Sequence, residues 1–76
     1  MINRGIVTPS TQIADLKTGI YDVHREFPTW FISNWSVIYV PKNGTLAGAF
    51  ALSYADGGSA RMWIYGSREA TWVSII

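Results

Sequence analysis

From Trp35 onward the chain alternates short apolar runs with turn signals: WSVIYVP, KNG, TLAGAFALSY, ADGG, SARMWIY, GSRE and ATWVSII. The runs are rich in β-branched and aromatic residues and short for helices, so each reads as a strand. Asn43-Gly44 is a favoured tight-hairpin dipeptide, because both residues tolerate positive φ. Asp56-Gly57-Gly58 offers a second hairpin turn, and Gly66 to Glu69 a third. Four strands joined by short turns predict an antiparallel meander, a sheet that can bury one face and leave the other for a partner.

Alternation assigns the faces. Along 45–54, Leu46, Phe50, Leu52 and Tyr54 share one side, and Ala47, Ala49, Ala51 and Ser53 share the other. Further on, Met62, Ile64, Val73 and Ile75 suit a core, which turns Trp63, Tyr65 and Trp72 toward a partner. The small face at Ala47, Ala49 and Ala51 is a second candidate contact, since small residues let backbones approach closely.

The first half is less regular. INRGIV is β-prone but contains Gly5, so residues 1–9 read as an edge strand or an extended arm. Pro9 and Ser10 offer a turn or N-cap, Ile13 and Leu16 are one helical turn apart, and Gly19 can end the turn; one short helix is expected near residues 10–18. GIYDV alternates as a strand. HREFPTWFISN holds Pro28 between Phe27 and Trp30, and proline argues for a loop that packs its aromatics. The expected fold is all-β, a small antiparallel meander or sandwich with one short helix, forming a single domain over 1–76.

Composition adds a constraint. A chain of 76 residues without cysteine has a core worth only ~3–5 kcal/mol and no disulfide to add to it. One histidine and five scattered acids make a structural metal a poor supplement. Association with further copies is the remaining one, and the charged content of 14%, against about 25% in ordinary domains, fits it. The net charge of +1 and the lack of a basic stripe give no footprint for nucleic acid. No apolar run approaches the ~20 residues of a membrane helix, and the first residues lack the apolar core of a secretory leader.

Catalytic chemistry is hard to place. A glycosidase needs two carboxyl groups ~5–9 Å apart across a cleft; Asp22 and Glu26 are close in sequence, but Glu26 adjoins Phe27-Pro28 in a surface loop. Asp56 is explained by its turn. His24 has no cysteine or histidine at metal spacing and reads as a half-exposed loop histidine. There is no nucleophile elbow or phosphate-binding loop, so neither an enzyme nor a cofactor is expected. Binding fits better. A flat aromatic can stack on a sugar ring while a neighbouring polar side chain bonds its hydroxyls. Tyr54, Asp56, Arg61, Trp63, Tyr65 and Arg68 are the candidate glycan-binding residues. The competing reading is that these aromatics pack a core or an interface. Aromatics interleaved with basic residues also suit single-stranded nucleic acid, so a small nucleic-acid-binding β-barrel is an alternative, weakened by the few basic residues.

The order of features resembles the pyocin-knob type of domain at the tips of phage tail fibres and R-type pyocin fibres. The resemblance is carried by ADLKTGIYDV (14–23), Phe27-Pro28, WSVIYV (35–40), a strand ending in Tyr54, a glycine-containing turn, an aromatic strand and TWVSI (71–75). Two positions depart from it: the family glutamine would fall near Ala49 or Ala51, and Tyr65 stands where an arginine often closes the penultimate strand. The resemblance implies a β-domain forming a homotrimer at a fibre or tailspike tip of the virion. That tip would contact a bacterial surface polysaccharide, lipopolysaccharide or capsule. A trimerisation or assembly-chaperone module of a tailspike, with no ligand of its own, is the alternative that the same resemblance implies.

Overall fold

A computed structural model describes residues 2–54 and 61–75. These form one six-stranded sheet in sequence order: β1 (Asn3–Val7), β2 (Gly19–Val23), β3 (Ser36–Val40), β4 (Phe50–Ser53), β5 (Arg61–Gly66) and β6 (Thr71–Ser74). The last five strands are an antiparallel meander; the sequence predicts the last four of them, and β2 joins that meander along β3. β1 is an edge strand, but it pairs parallel to β2, so the sheet is mixed. Where a short helix is expected, Ile13–Asp15 forms a single 3-10 turn, and the rest of 8–18 is the crossover that brings β2 alongside β1. The turn expected at Asp56-Gly57-Gly58 lies outside the described residues.

The hairpin expected at Asn43-Gly44 is not tight. β3 ends at Val40 and β4 begins only at Phe50, and the loop between them clasps the crossover. The Asn43 side-chain oxygen accepts the Thr18 N–H at 2.7 Å, and the Gly44 N–H donates to the Leu16 carbonyl at 2.8 Å. The loop closes with a turn in which the Ala49 N–H donates to the Leu46 carbonyl and Gly48 takes φ 78°, a conformation open to glycine at little cost.

That turn inverts the expected faces. Leu46 points into the core, and the turn hands the inward position on to Ala49, three residues later, instead of to an even-numbered residue. A one-residue change of phase moves every later side chain to the opposite face. Ala49 and Ala51 are accordingly fully buried while Phe50 and Leu52 are exposed. β5 and β6 follow through their register: Ile64 opposes Phe50 and Val73, whereas Trp63 opposes Ala51 and Tyr65 opposes Trp72. The assignment of Ile64, Val73 and Ile75 to the core is therefore corrected, since all three are exposed, and the contact expected at Ala49 and Ala51 is corrected because neither reaches the surface. Met62 lies on the same outer side, half-buried.

The inner face is the core. Val7, Tyr21, Val23, Ile38, Val40, Ala51 and Trp72 project from the sheet, and Leu16, Phe31 and Leu46 cover them from the loops. The segment around Pro28 behaves as expected of a loop that packs its aromatics: Phe27 and Trp30 meet Phe31, whose ring sits edge-on to Trp72 at 5.2 Å. Every buried polar side-chain atom among the described residues has a partner. The Trp72 indole donates to the Trp30 carbonyl at 2.8 Å, and the Trp30 indole donates to the Thr11 carbonyl at 2.9 Å.

Candidate functional site

Of the six residues predicted to hold a glycan, the five that are described do not converge. Tyr54 follows β4 on the outer side of the sheet, by continuation of Phe50 and Leu52. Trp63 and Tyr65 point the other way, half-buried against the core. Arg61 and Arg68 are exposed at opposite ends of β5, with Arg68 in the turn to β6. Asp56 lies outside the described residues. Trp63, Tyr65 and Trp72 thus have a structural role here: the Tyr65 and Trp72 rings meet edge-to-face at 5.3 Å, and small Ala51 and Ser53 leave room on the inner side of the neighbouring strand.

The outer face presents a different surface. One row of cross-strand neighbours runs Ile20, Tyr39, Phe50, Ile64, Val73 from β2 to β6. A second runs Ile6, Asp22, Val37, Leu52, Met62 from β1 to β5, and Ile75 extends it through its N–H to the Met62 carbonyl. Asp22 alone carries a charge in these rows. Ile64 is 47% exposed and Ile75 52%, and the Tyr39 and Phe50 rings lie 4.9 Å apart on this face. With strands spaced ~4.8 Å apart, the first row is about 19 Å long. A contiguous exposed apolar patch of this kind on a soluble chain marks an interaction surface.

At one end of this face the character changes. His24, just past β2, stacks on Trp35, just before β3, with ring centroids 5.5 Å apart and planes 24° apart. The Trp35 N–H donates to the His24 carbonyl at 2.9 Å, and the Tyr54 N–H donates to the Trp35 carbonyl at 3.1 Å. These bonds continue the ladder one step beyond the strands and set His24, Trp35 and Tyr54 side by side along the rim. Trp35 has φ 51°, a genuine outlier for so bulky a residue. Such backbone costs ~1–3 kcal/mol and persists only where the surroundings impose it. Beside this rim the parallel ends of β1 and β2 diverge, leaving an open groove of about 260 Å³ between Ile6–Pro9 and His24–Glu26. Among the described residues no cluster of three or more histidine, aspartate or glutamate side chains is placed to hold a metal ion.

Sequence reasoning named Tyr54 but not its neighbours. His24 is exposed, close to the expectation, but nothing in its local spacing points to Trp35. The pairing follows only from the β2–β3 register. The signal that was available is the interval of Ile20, Asp22 and His24 against Trp35, Val37 and Tyr39, two alternating runs that pair only if the intervening loop folds back. No protein-family model, curated protein or solved structure matches the chain.

Proposed function

We propose that the chain is the self-associating tip domain of a phage tail fibre or tailspike, a homotrimer joined through the outer faces of its sheets and directed at a bacterial surface polysaccharide. The observation that carries the assembly is the apolar outer face. A 76-residue chain without disulfides leaves two apolar rows uncovered on the very sheet that organises its core. A stable interface buries about 800 Å² per partner. That is about a sixth of the 4701 Å² the chain exposes, a share of the order one face of a six-stranded sheet supplies. Three such faces turned toward a common axis enclose a triangular apolar core with Asp22 near its margin. The threefold stoichiometry, the fibre setting and the polysaccharide partner are supported by the resemblance of residues 14–76 to fibre-tip domains.

The test is a pair of charge substitutions on the outer face, Leu52→Asp and Ile64→Asp, read by size-exclusion chromatography with circular dichroism. The proposal expects assembled wild-type chain and monomeric variants that keep the β-sheet spectrum. Variants that remain assembled would remove this face from the interface.

A further inference from the structure

Asn43-Gly44 is a hairpin dipeptide that builds no tight hairpin, and its chemistry is left over. We infer that it is a site of spontaneous covalent modification that the fold holds closed: clasped against the crossover, Asn43 stays an amide, and once the clasp opens it converts to isoaspartate. The step needs only base and water. The Gly44 amide nitrogen loses its proton to hydroxide and attacks the side-chain carbon Cγ of Asn43. A bond forms between that nitrogen and Cγ, the bond from Cγ to Nδ2 breaks, and Nδ2 takes a proton from water and leaves as ammonia. Water then opens the five-membered imide at either carbonyl, giving aspartate or isoaspartate. Glycine after the asparagine makes the step fast, since no Cβ shields the attacking nitrogen.

In the folded chain both reacting groups are occupied. The Gly44 N–H donates to the Leu16 carbonyl at 2.8 Å, so its proton is held against another segment. Asn43 Oδ1 accepts the Thr18 N–H at 2.7 Å and the Thr18 hydroxyl at 3.1 Å, so the side-chain carbonyl is pinned away from the nitrogen that would attack it. Thr18, Asn43 and Gly44 are all exposed, and water and base reach them as soon as these bonds part. Attack therefore waits on local opening, which loops reach well before the chain unfolds.

The two products differ in their effect on the fold. Aspartate keeps the main chain and presents an oxygen where Oδ1 stood, so the Thr18 N–H keeps an acceptor. Isoaspartate threads the main chain through Cβ and Cγ, one carbon longer, and the clasp cannot re-form. Thr18 is the residue released. Its carbonyl accepts the Arg4 Nε–H at 3.0 Å, and two residues on, the Ile20 N–H donates to the Ile2 carbonyl at 2.8 Å. Conversion at Asn43 thus loosens the edge pairing of β1 from the loop between β3 and β4.

The experiment ages the whole chain in mildly alkaline buffer, folded and in guanidinium chloride. Peptide mapping by mass spectrometry reads the change from amide to acid, and enzymatic methylation reads isoaspartate. In denaturant Asn43 should convert, while Asn3 and Asn34, followed by the bulky Arg4 and Trp35, stay largely amide. In the folded chain conversion should be slower by about tenfold or more, because the clasp must open first. Thr18→Ala removes the hydroxyl bond alone; it should speed the folded reaction several-fold and leave the denatured one unchanged. If Thr18→Ala does not fold, the ratio of denatured to folded rates in wild type decides by itself. The isolated isoaspartate form should lose amide-exchange protection at Thr18 and Ile20, whereas Asn43→Asp should keep it. Equal rates in the folded and denatured chain, or no conversion in denaturant, would overturn the protected site. An isoaspartate form with wild-type protection at Thr18 and Ile20 would overturn its link to β1.

Discussion

Ala51 lies directly opposite Trp63 across β4 and β5, and both point into the core. A fully buried alanine on β4 thus sits next to the large, half-buried ring of Trp63 on β5. Ala51→Leu therefore has no room to enter. Overpacking of this kind costs ~1–3 kcal/mol, and thermal melting should show a clear fall in Tm. An unchanged Tm would mean that the inner layer holds a void that the packing does not predict.

Gly19 opens β2 with φ 150°, and a Cβ there would stand 2.5 Å from the Ile2 carbonyl oxygen. That carbonyl accepts the Ile20 N–H at 2.8 Å, the bond that starts the parallel pairing. Gly19→Ala should separate β1 from β2 and destabilise the chain by about 1–3 kcal/mol. Amide exchange checks it. The Ile20 N–H should lose protection first, while the Tyr39 and Ile64 amides of the meander keep theirs longer.

Trp72→Phe keeps a ring against Phe31 and Tyr65 but deletes the indole donor to the Trp30 carbonyl. Leaving a buried acceptor unpaired costs ~1–3 kcal/mol, and the Trp30 carbonyl, at a partly buried residue, falls toward the lower end of that range. Denaturant unfolding should show that loss for Trp72→Phe and a smaller one for Trp30→Phe, since both bonds are part-buried but the Trp72 ring is buried and the Trp30 ring only partly so. Equal losses would place the two indole bonds in equally dry surroundings.

Ile64→Asp should act on assembly and leave the fold alone. A central apolar residue of an interface contributes ~2 kcal/mol or more, and ~1.4 kcal/mol is tenfold in affinity. The dissociation midpoint on dilution should rise by roughly thirtyfold or more. Val73→Asp, its neighbour in the same row, should do likewise. Arg68→Ala, in the exposed β5–β6 turn, should change neither mass nor melting.

Much of the strand inventory was legible in the sequence. GIYDV, WSVIYV, MWIY and TWVS mark four of the six strands, because turn residues and β-branched runs are local signals. The faces were not legible, for a reason that sits in one turn. TLAGAFALSY reads as an unbroken strand, and its alternation sends Phe50 and Leu52 inward after Leu46. The turn from Leu46 to Ala49 shifts that phase by one residue, and the cross-strand register carries the shift through β5 and β6. The parallel placement of β1 was also beyond reach, since it depends on the crossover docking Leu16 into the core. The groove beside His24 depends on both, being formed where β1 and β2 part.

The homotrimer proposed above has the outer face of each sheet covered by two further copies of the chain. Native mass spectrometry or light scattering on the whole chain at micromolar concentration tests it most directly. The expected result is a particle of three times the 8.5 kDa chain mass, with the Ile64→Asp and Leu52→Asp variants at one chain mass. A wild-type chain that runs as a folded monomer at every concentration would contradict it.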